Sequence, residues 1–425
     1  MCSIVICKER YTMNNKLLHK DFVLLCQGTL FSTFGSVLYS AAIAYWVYEK
    51  TGSTTLMGVL SGTSFIIRII AGPISGSLTD HLRRRNILVS TDLIRGIVFT
   101  LLGILALNDR MNVALVVLAA VISGICSSLF DPASTSLAPD ILDESVLIKG
   151  QSLLNGSSMI INLIGTAISG ILIVRFSVPV LILINGICYI ISALSERVIY
   201  DYPSHKTEDV SDLKTILTDM KESFAFIRND KGLMKLGLIC ILCNLLISGF
   251  FNLLLPYCLQ NGMTTEQYGY LGAFISAGSL IGTLLLTILD VYKRKPLKII
   301  GFEMILFALS GAAAIFIASF KITSILFLFC FVMNGMFNGI LNAILILLIP
   351  EDKRGVLFGT FMTTVMLGNA LSSLVYGVLG DLIPLKPLGV TAFLLGLLPV
   401  ILIFDPDVQN ISNKNNETIE KTDCQ

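Results

Sequence analysis

Twelve hydrophobic runs, near 22–46, 55–78, 87–107, 112–130, 151–173, 178–199, 233–258, 267–289, 297–319, 323–349, 356–382 and 386–404, limit what this chain can become. Each has the length of a helix that crosses a bilayer, for which about 20 apolar residues suffice. The chain is 54% hydrophobic and 14% charged, against roughly 25% charged in soluble domains. A water-soluble protein is therefore excluded, and an all-α membrane protein with twelve transmembrane helices is expected. The one long polar connection divides the spans six and six, which gives these expected boundaries: an N-terminal tail over 1–21, a first half over 22–199, a linker over 200–232, a second half over 233–404 and a tail over 405–425.

Lysine and arginine set the orientation, because they accumulate on the cytoplasmic side. With the N-terminus inside, 23 of the 30 basic residues fall in cytoplasmic segments and 5 in outer loops, and Arg68 and Arg95 lie within spans. Both termini and the linker are thus expected in the cytoplasm, with the protein multi-pass in the cell membrane. The first 21 residues lack an apolar core followed by a small-residue cleavage site, so no cleaved signal peptide is expected. Met13 offers a second start, and no role is assigned to the residues before it. In the linker, Leu213, Ile216, Leu217, Met220, Phe224 and Ile227 recur at helical spacing with Lys214, Lys221 and Arg228 among them. That pattern predicts an amphipathic helix on the membrane face. The tail from Asp405 is polar and Asn-rich and is expected to be disordered. Seven of ten cysteines fall in or beside apolar runs, and Cys240-Ile-Leu-Cys243 reads as packing sulfur in a span rather than a redox or metal motif.

Between the second and third spans lies Gly76-Ser-Leu-Thr-Asp80-His-Leu-Arg-Arg-Arg85. A glycine there lets helices approach, Asp80 can face a helix N-terminus or a basic partner, and Arg83, Arg84 and Arg85 hold the hairpin inside. A basic loop after any membrane helix would account for the arginines alone. A counterpart, Asp290-Val-Tyr-Lys-Arg-Lys295, follows the eighth span 210 residues later, as expected of a parallel repeat.

The first stretch resembles the G-x-L-x-D-x-x-x-R/K-R/K signature of major facilitator superfamily transporters, with Arg83 where that family carries glycine. Further pieces resemble the macrolide-efflux branch of drug:proton antiporters: Glu49-Lys-Thr-Gly-Ser53, Asp92-Leu-Ile-Arg95, Phe130-Asp-Pro-Ala133, Leu137-Ala-Pro139, Asn185 and Lys353-Arg-Gly355. The resemblance runs from Leu25 to Ile383. It implies the major facilitator fold and a conformational latch of Gly76, Asp80, Arg83, Arg84, Arg85, Asp92 and Arg95. Exporters of this kind often carry G-P-x-x-G in the fifth helix, whereas the segment here is Gly165-Thr-Ala-Ile-Ser-Gly170, with Thr166 in the proline position.

Ionisable groups within spans are costly unless paired or hydrated, so each is a functional candidate. Arg68 stands ~15 Å from the cytoplasmic end of its span at 1.5 Å per residue, either bracing helices or facing a cavity. Asp92 and Arg95, three apart, can pair with each other. Glu303 reads as a proton acceptor or as an interfacial carboxylate, and Asp92 is the other proton-coupling candidate. Asn334, Asn338 and Asn342 recur every four residues, which suits either helix–helix hydrogen bonds or a polar stripe along a substrate path. Phe31, Phe34, Phe250 and Phe251, with Met333 and Met336, would form an adaptable apolar wall for amphipathic cargo.

The expectation is a twelve-helix secondary transporter that exports an amphipathic small molecule in exchange for protons, by rocking two halves about a midplane cavity. Its partners would be the bilayer, the small molecule and protons, without nucleic acid, metal or other cofactor, in a monomer. No G-x-x-x-x-G-K-[ST] loop is present to drive a primary pump. An importer on the same fold is the first rival, and a membrane enzyme or receptor the second.

Overall fold

The computed structural model describes residues 19–202, 218, 225–289, 296–348 and 354–409. Among them the chain forms helices and no strands, as backbone polar groups in hydrocarbon require. In chain order these are α1 (Lys20–Thr51), α2 (Thr54–His81), α3 (Arg84–Leu107), α4 (Val113–Ile141), α5 (Glu144–Arg197) and α6 (Lys231–Cys243). A π-helical segment, Asn244–Ser248, leads into the short helices α7 (Gly249–Phe251) and α8 (Leu254–Gln260). There follow α9 (Thr265–Leu289), α10 (Pro296–Ile317), α11 (Phe320–Leu348), α12 (Arg354–Leu382), α13 (Leu385–Leu395) and α14 (Leu398–Ile403).

Eleven of the helical stretches among the described residues are long and apolar enough to cross a membrane. One of them, α5, has 54 residues and would reach ~80 Å if straight, far beyond the ~30 Å hydrocarbon core. It breaks at Ser177, whose φ of 65° and ψ of 160° are non-helical, two residues before Pro179. The break turns α5 into two spans and brings the number to the twelve expected. The fold is therefore all-α with twelve membrane helices.

Local chemistry explains several ends. Asn112 caps α4 by accepting from the Leu115 amide at 3.0 Å, and Asp230 caps α6 through Gly232 and Leu233 at 2.9 and 3.1 Å, each satisfying donors the helix cannot use. The fourth helix runs to Ile141 rather than stopping at 130, passing through Pro132 and Pro139. Packing explains the extension: Ala133, Leu137, Ala138 and Ile141 are buried with Phe22, Leu25 and Leu88. The Thr135 hydroxyl also donates to the Asp131 and Pro132 carbonyls.

The described chain divides into two compact units. One takes the chain up to Tyr39 with Ile70–Asn162 and Pro179–Ser211; the other takes Ser40–Ile69, Leu163–Val178 and the chain from Asp212. These differ from the expected six-and-six boundaries because two segments of the first half cluster with the second. A Cβ on Gly58 of α2 would lie 2.3 Å from the Ser373 carbonyl of α12, and one on Gly170 of α5 would lie 2.3 Å from the Thr265 carbonyl of α9. Only glycine permits such approach.

The expected linker helix lies outside the described residues except for a turn that includes Ile227, partly buried against the core. The Asp290–Lys295 repeat and the tail after residue 409 are also outside them. The start of the tail corrects the expectation of disorder from Asp405. Val408 is fully buried, and Lys235 donates to Asp405 and Asp407 at 2.5 and 2.7 Å.

Candidate substrate cavity

Helix α6 loses α-helical register where its backbone finds better partners. The Tyr376 hydroxyl donates to the Leu246 carbonyl, and the Ser372 hydroxyl accepts from the Gly249 amide at 2.7 Å, both from α12. A side chain at 249 would put its Cβ 2.2 Å from the Ser372 carbonyl, so glycine lets α12 press against the break. Asn252 then donates to Ser373 at 2.9 Å. Backbone groups released by the π-segment are thus satisfied from a neighbouring helix, as irregular backbone within a membrane requires, and such segments favour functional sites.

The π-segment forms one wall of a cavity of about 500 Å³, within the range of small-molecule sites. Asn244, Ile247 and Ser248 contribute from this segment, Tyr268 and Ser276 from α9, Glu303 and Phe307 from α10, Phe331, Asn334 and Asn338 from α11, and Thr166 from α5. Phe251 crosses Phe331 edge-on at 5.2 Å between ring centroids, and Phe307 meets Phe331 at 6.0 Å. Phe393 supports both Phe251 and Phe307 from behind, at 5.9 and 5.6 Å. The wall is therefore aromatic and internally braced.

Glu303 supplies the only formal charge among the described residues of this wall. Its side chain is 2% exposed, and neither carboxylate oxygen has a hydrogen-bond partner among the described residues. A buried carboxylate without a partner is costly, and Glu303 is the group of this wall that bears that cost among the described residues. Further polarity comes from Asn338, which donates to the Asn334 carbonyl and side-chain oxygen at 2.9 and 3.1 Å. Thr166 approaches Ser276 at 3.4 Å between hydroxyl oxygens, so the position where proline was usual carries a polar wall residue instead.

Of the residues singled out for a substrate path, Phe251, Met333, Asn334 and Asn338 line this cavity. Phe250 is fully buried in the apolar core behind it, and Asn342 is exposed. Phe31, Phe34 and Arg68 are half-buried and are not among its lining residues. Asp92 and Arg95 form a buried ion pair with each other.

In the hairpin motif, α2 carries Gly76 and Asp80 in helix, and the Asp80 side chain lies outside the described residues. The arginines have separate partners: Arg83 pairs with Asp201, Arg84 with Asp140, and Arg85 donates to the Ile199 carbonyl at 3.1 Å.

A family model described as Major Facilitator Superfamily matches residues 25–373. The chain belongs to the major facilitator superfamily. It is 25% identical over 282 residues to macrolide efflux protein A of Streptococcus pyogenes, covering 65% of this chain and 69% of that one. It is 20% identical to the multidrug efflux pump Tap of Mycolicibacterium fortuitum, over 90% of this chain and 93% of the relative. Among solved structures, a bacterial homologue of the human lysosomal transporter Spinster, inward-facing and unoccupied, aligns with a TM-score of 0.70 at 13% identity, covering 95% and 98% of the two chains. A D-xylose-proton symporter aligns at 0.68 and 16%, covering 91% and 96%. Both likenesses bear on the fold. As a major facilitator, the protein is a multi-pass membrane transporter of small molecules working in a bilayer.

Sequence reasoning passed over Asn244, Ser248, Tyr268 and Ser276, single polar residues in apolar runs. It found Asn334 and Asn338 by helical period, Glu303 by charge within a span, and Phe251 and Met333 as soft apolar wall. It also passed over Glu196, fully buried near the end of α5.

Proposed function

We propose that this major facilitator exports amphipathic small molecules from the cell in exchange for protons, by alternating access. The observation that carries this reading is the cavity: aromatic and apolar over most of its wall, with amides and hydroxyls at a few points and one buried carboxylate at Glu303. Edge-on phenylalanines accommodate varied apolar surface, while a lone carboxylate attracts cationic groups without fixing one shape. Glu303 would alternate between proton and cargo, so that entry of one releases the other. The relatives named for macrolide and multidrug efflux support export. In this reading Asp80 and the arginines of its hairpin govern switching rather than recognition, and the termini face the cytoplasm.

Transport into inverted and right-side-out vesicles tests it. Accumulation of an amphipathic antibiotic in inverted vesicles, driven by a proton gradient that makes the interior acidic, is the expected result. Uptake confined to right-side-out vesicles would make the protein an importer instead.

A further inference from the structure

Within the other compact unit, α3, α4 and α5 enclose a second group of charges. Asp92 and Glu196 are fully buried and Arg95 is 5% exposed. Arg95 pairs with Asp92 Oδ1, donates to the Ser127 and Tyr189 hydroxyls at 3.3 and 3.4 Å, and lies over the Phe130 and Tyr189 rings at 4.8 and 4.5 Å. The Ser192 hydroxyl donates to Glu196 Oε1 at 3.4 Å and faces Asp92. Asp92 Oδ2 and Glu196 Oε2 have no hydrogen-bond partner among the described residues.

Charge does not balance here. Two buried carboxylates share one guanidinium; of the other titratable groups facing it, the exposed Asp131 of α4 adds a third carboxylate, and Cys126 of α4 and Tyr189 of α5 add no second cation among the described residues. From α1 the facing residue is Gly28, where a Cβ would come 3.0 Å from Glu196 Oε1 and 3.1 Å from the Ser192 oxygen. Glycine there leaves the carboxyl group its room and supplies no charge. An uncompensated buried charge is removed most simply by a proton.

We infer that Glu196 is a proton-binding site separate from the cavity, holding a proton as a carboxylic acid while Arg95 keeps Asp92 ionised. A proton adds to a Glu196 carboxylate oxygen, with Ser192 between the two carboxyl groups, and leaves from the same oxygen to water when the helices part. Use of this proton in exchange rests on the export reading; its binding does not.

Infrared difference spectra of the full chain in lipid, recorded over roughly pH 5 to 8 on a Glu303→Gln background, test this site. The expected result is a protonated-carboxyl carbonyl band that disappears with Glu196→Gln. With Asp92→Asn, one carboxylate faces one guanidinium without need of a proton, so the band is lost at neutral pH. That second variant serves if Glu196→Gln does not fold. A band that survives either substitution, or none in the background protein, would overturn the inference. The band together with absent vesicle export would refute the export reading and leave this site standing.

Discussion

Asp381, in the last turn of α12, caps the first turn of α2 through Thr54. Its Oδ1 accepts from the Thr54 amide at 2.7 Å and the Thr54 hydroxyl at 2.8 Å, while Oδ2 accepts from the Thr55 amide at 3.1 Å and the Ser53 hydroxyl at 2.9 Å. A carboxylate placed on a helix N-terminus satisfies free amides and complements the helix dipole. Here the cap comes from a helix 327 residues further along the chain, so it ties two distant spans. Asp381→Asn should cost about 1 kcal/mol, the usual scale for a cap, and lower the thermal midpoint of detergent-purified protein. It should also slow exchange more than it weakens cargo binding. Unchanged melting and turnover would show the cap to be idle.

The same pair of helices closes at Gly58 and Gly377, where a Cβ on Gly377 would stand 2.9 Å from the Gly58 Cα. Gly377→Val should impose an overpacking cost of about 1–3 kcal/mol on this arrangement only. Exchange across vesicles should fall while equilibrium cargo binding persists.

Removing the cavity's charge gives a sharper outcome. A hydrogen bond to a charged group contributes about 1.5–3 kcal/mol, so Glu303→Gln should weaken binding of an amine-bearing cargo by about ten- to a hundredfold. Isothermal titration on purified protein checks it, and a neutral analogue should lose much less.

Thiol labelling separates wall from surroundings. In a background with Cys243, itself a wall residue, replaced by serine, Asn338→Cys should react with a water-soluble thiol reagent and be shielded by cargo. Arg68→Cys should show no such protection. Shielding at 68 would extend the binding region beyond the cavity described.

At the C-terminal turn, the Lys235 ammonium holds the Asp405 carboxyl below its ordinary value by hydrogen bonding. A carboxyl lowered in the folded state contributes its stabilisation above the ordinary value and loses it as pH falls through the lowered one. The turn around Val408 should therefore loosen only in acid, and Lys235→Met should loosen it at neutral pH. Amide exchange at residues 405–409 reads both.

The spans were legible because apolar length is a property of the chain alone. Their breaks were not uniformly so. Pro179 marks the neighbourhood of the break at Ser177, whereas the π-segment at 244–248 has no proline or glycine within it and depends on Ser372 and Tyr376, more than a hundred positions away. The asparagine repeat was legible in part: four residues turn a helix by about 400°, so the row drifts about 40° at each step, and the drift carries Asn342 off the wall that Asn334 and Asn338 share. Glu196 escaped notice because it stands beside Arg197 at the end of an apolar run, where a charge signals a helix terminus. Its burial follows from Gly28 and Ser192, which no local pattern connects to it.

The π-segment makes the cavity sensitive to chain length as well as to side-chain identity. An i→i+5 turn holds one residue more than an α-turn, so removing Leu245, which is not a wall residue, would let α6 continue as regular helix with Phe251 on its present face. The bonds from Ser372 and Tyr376 would lose their targets, and the stretch of wall that Asn244, Ile247 and Ser248 share would be redrawn. Selectivity in this transporter is thus open to change by loss of a single codon, with every wall side chain still encoded.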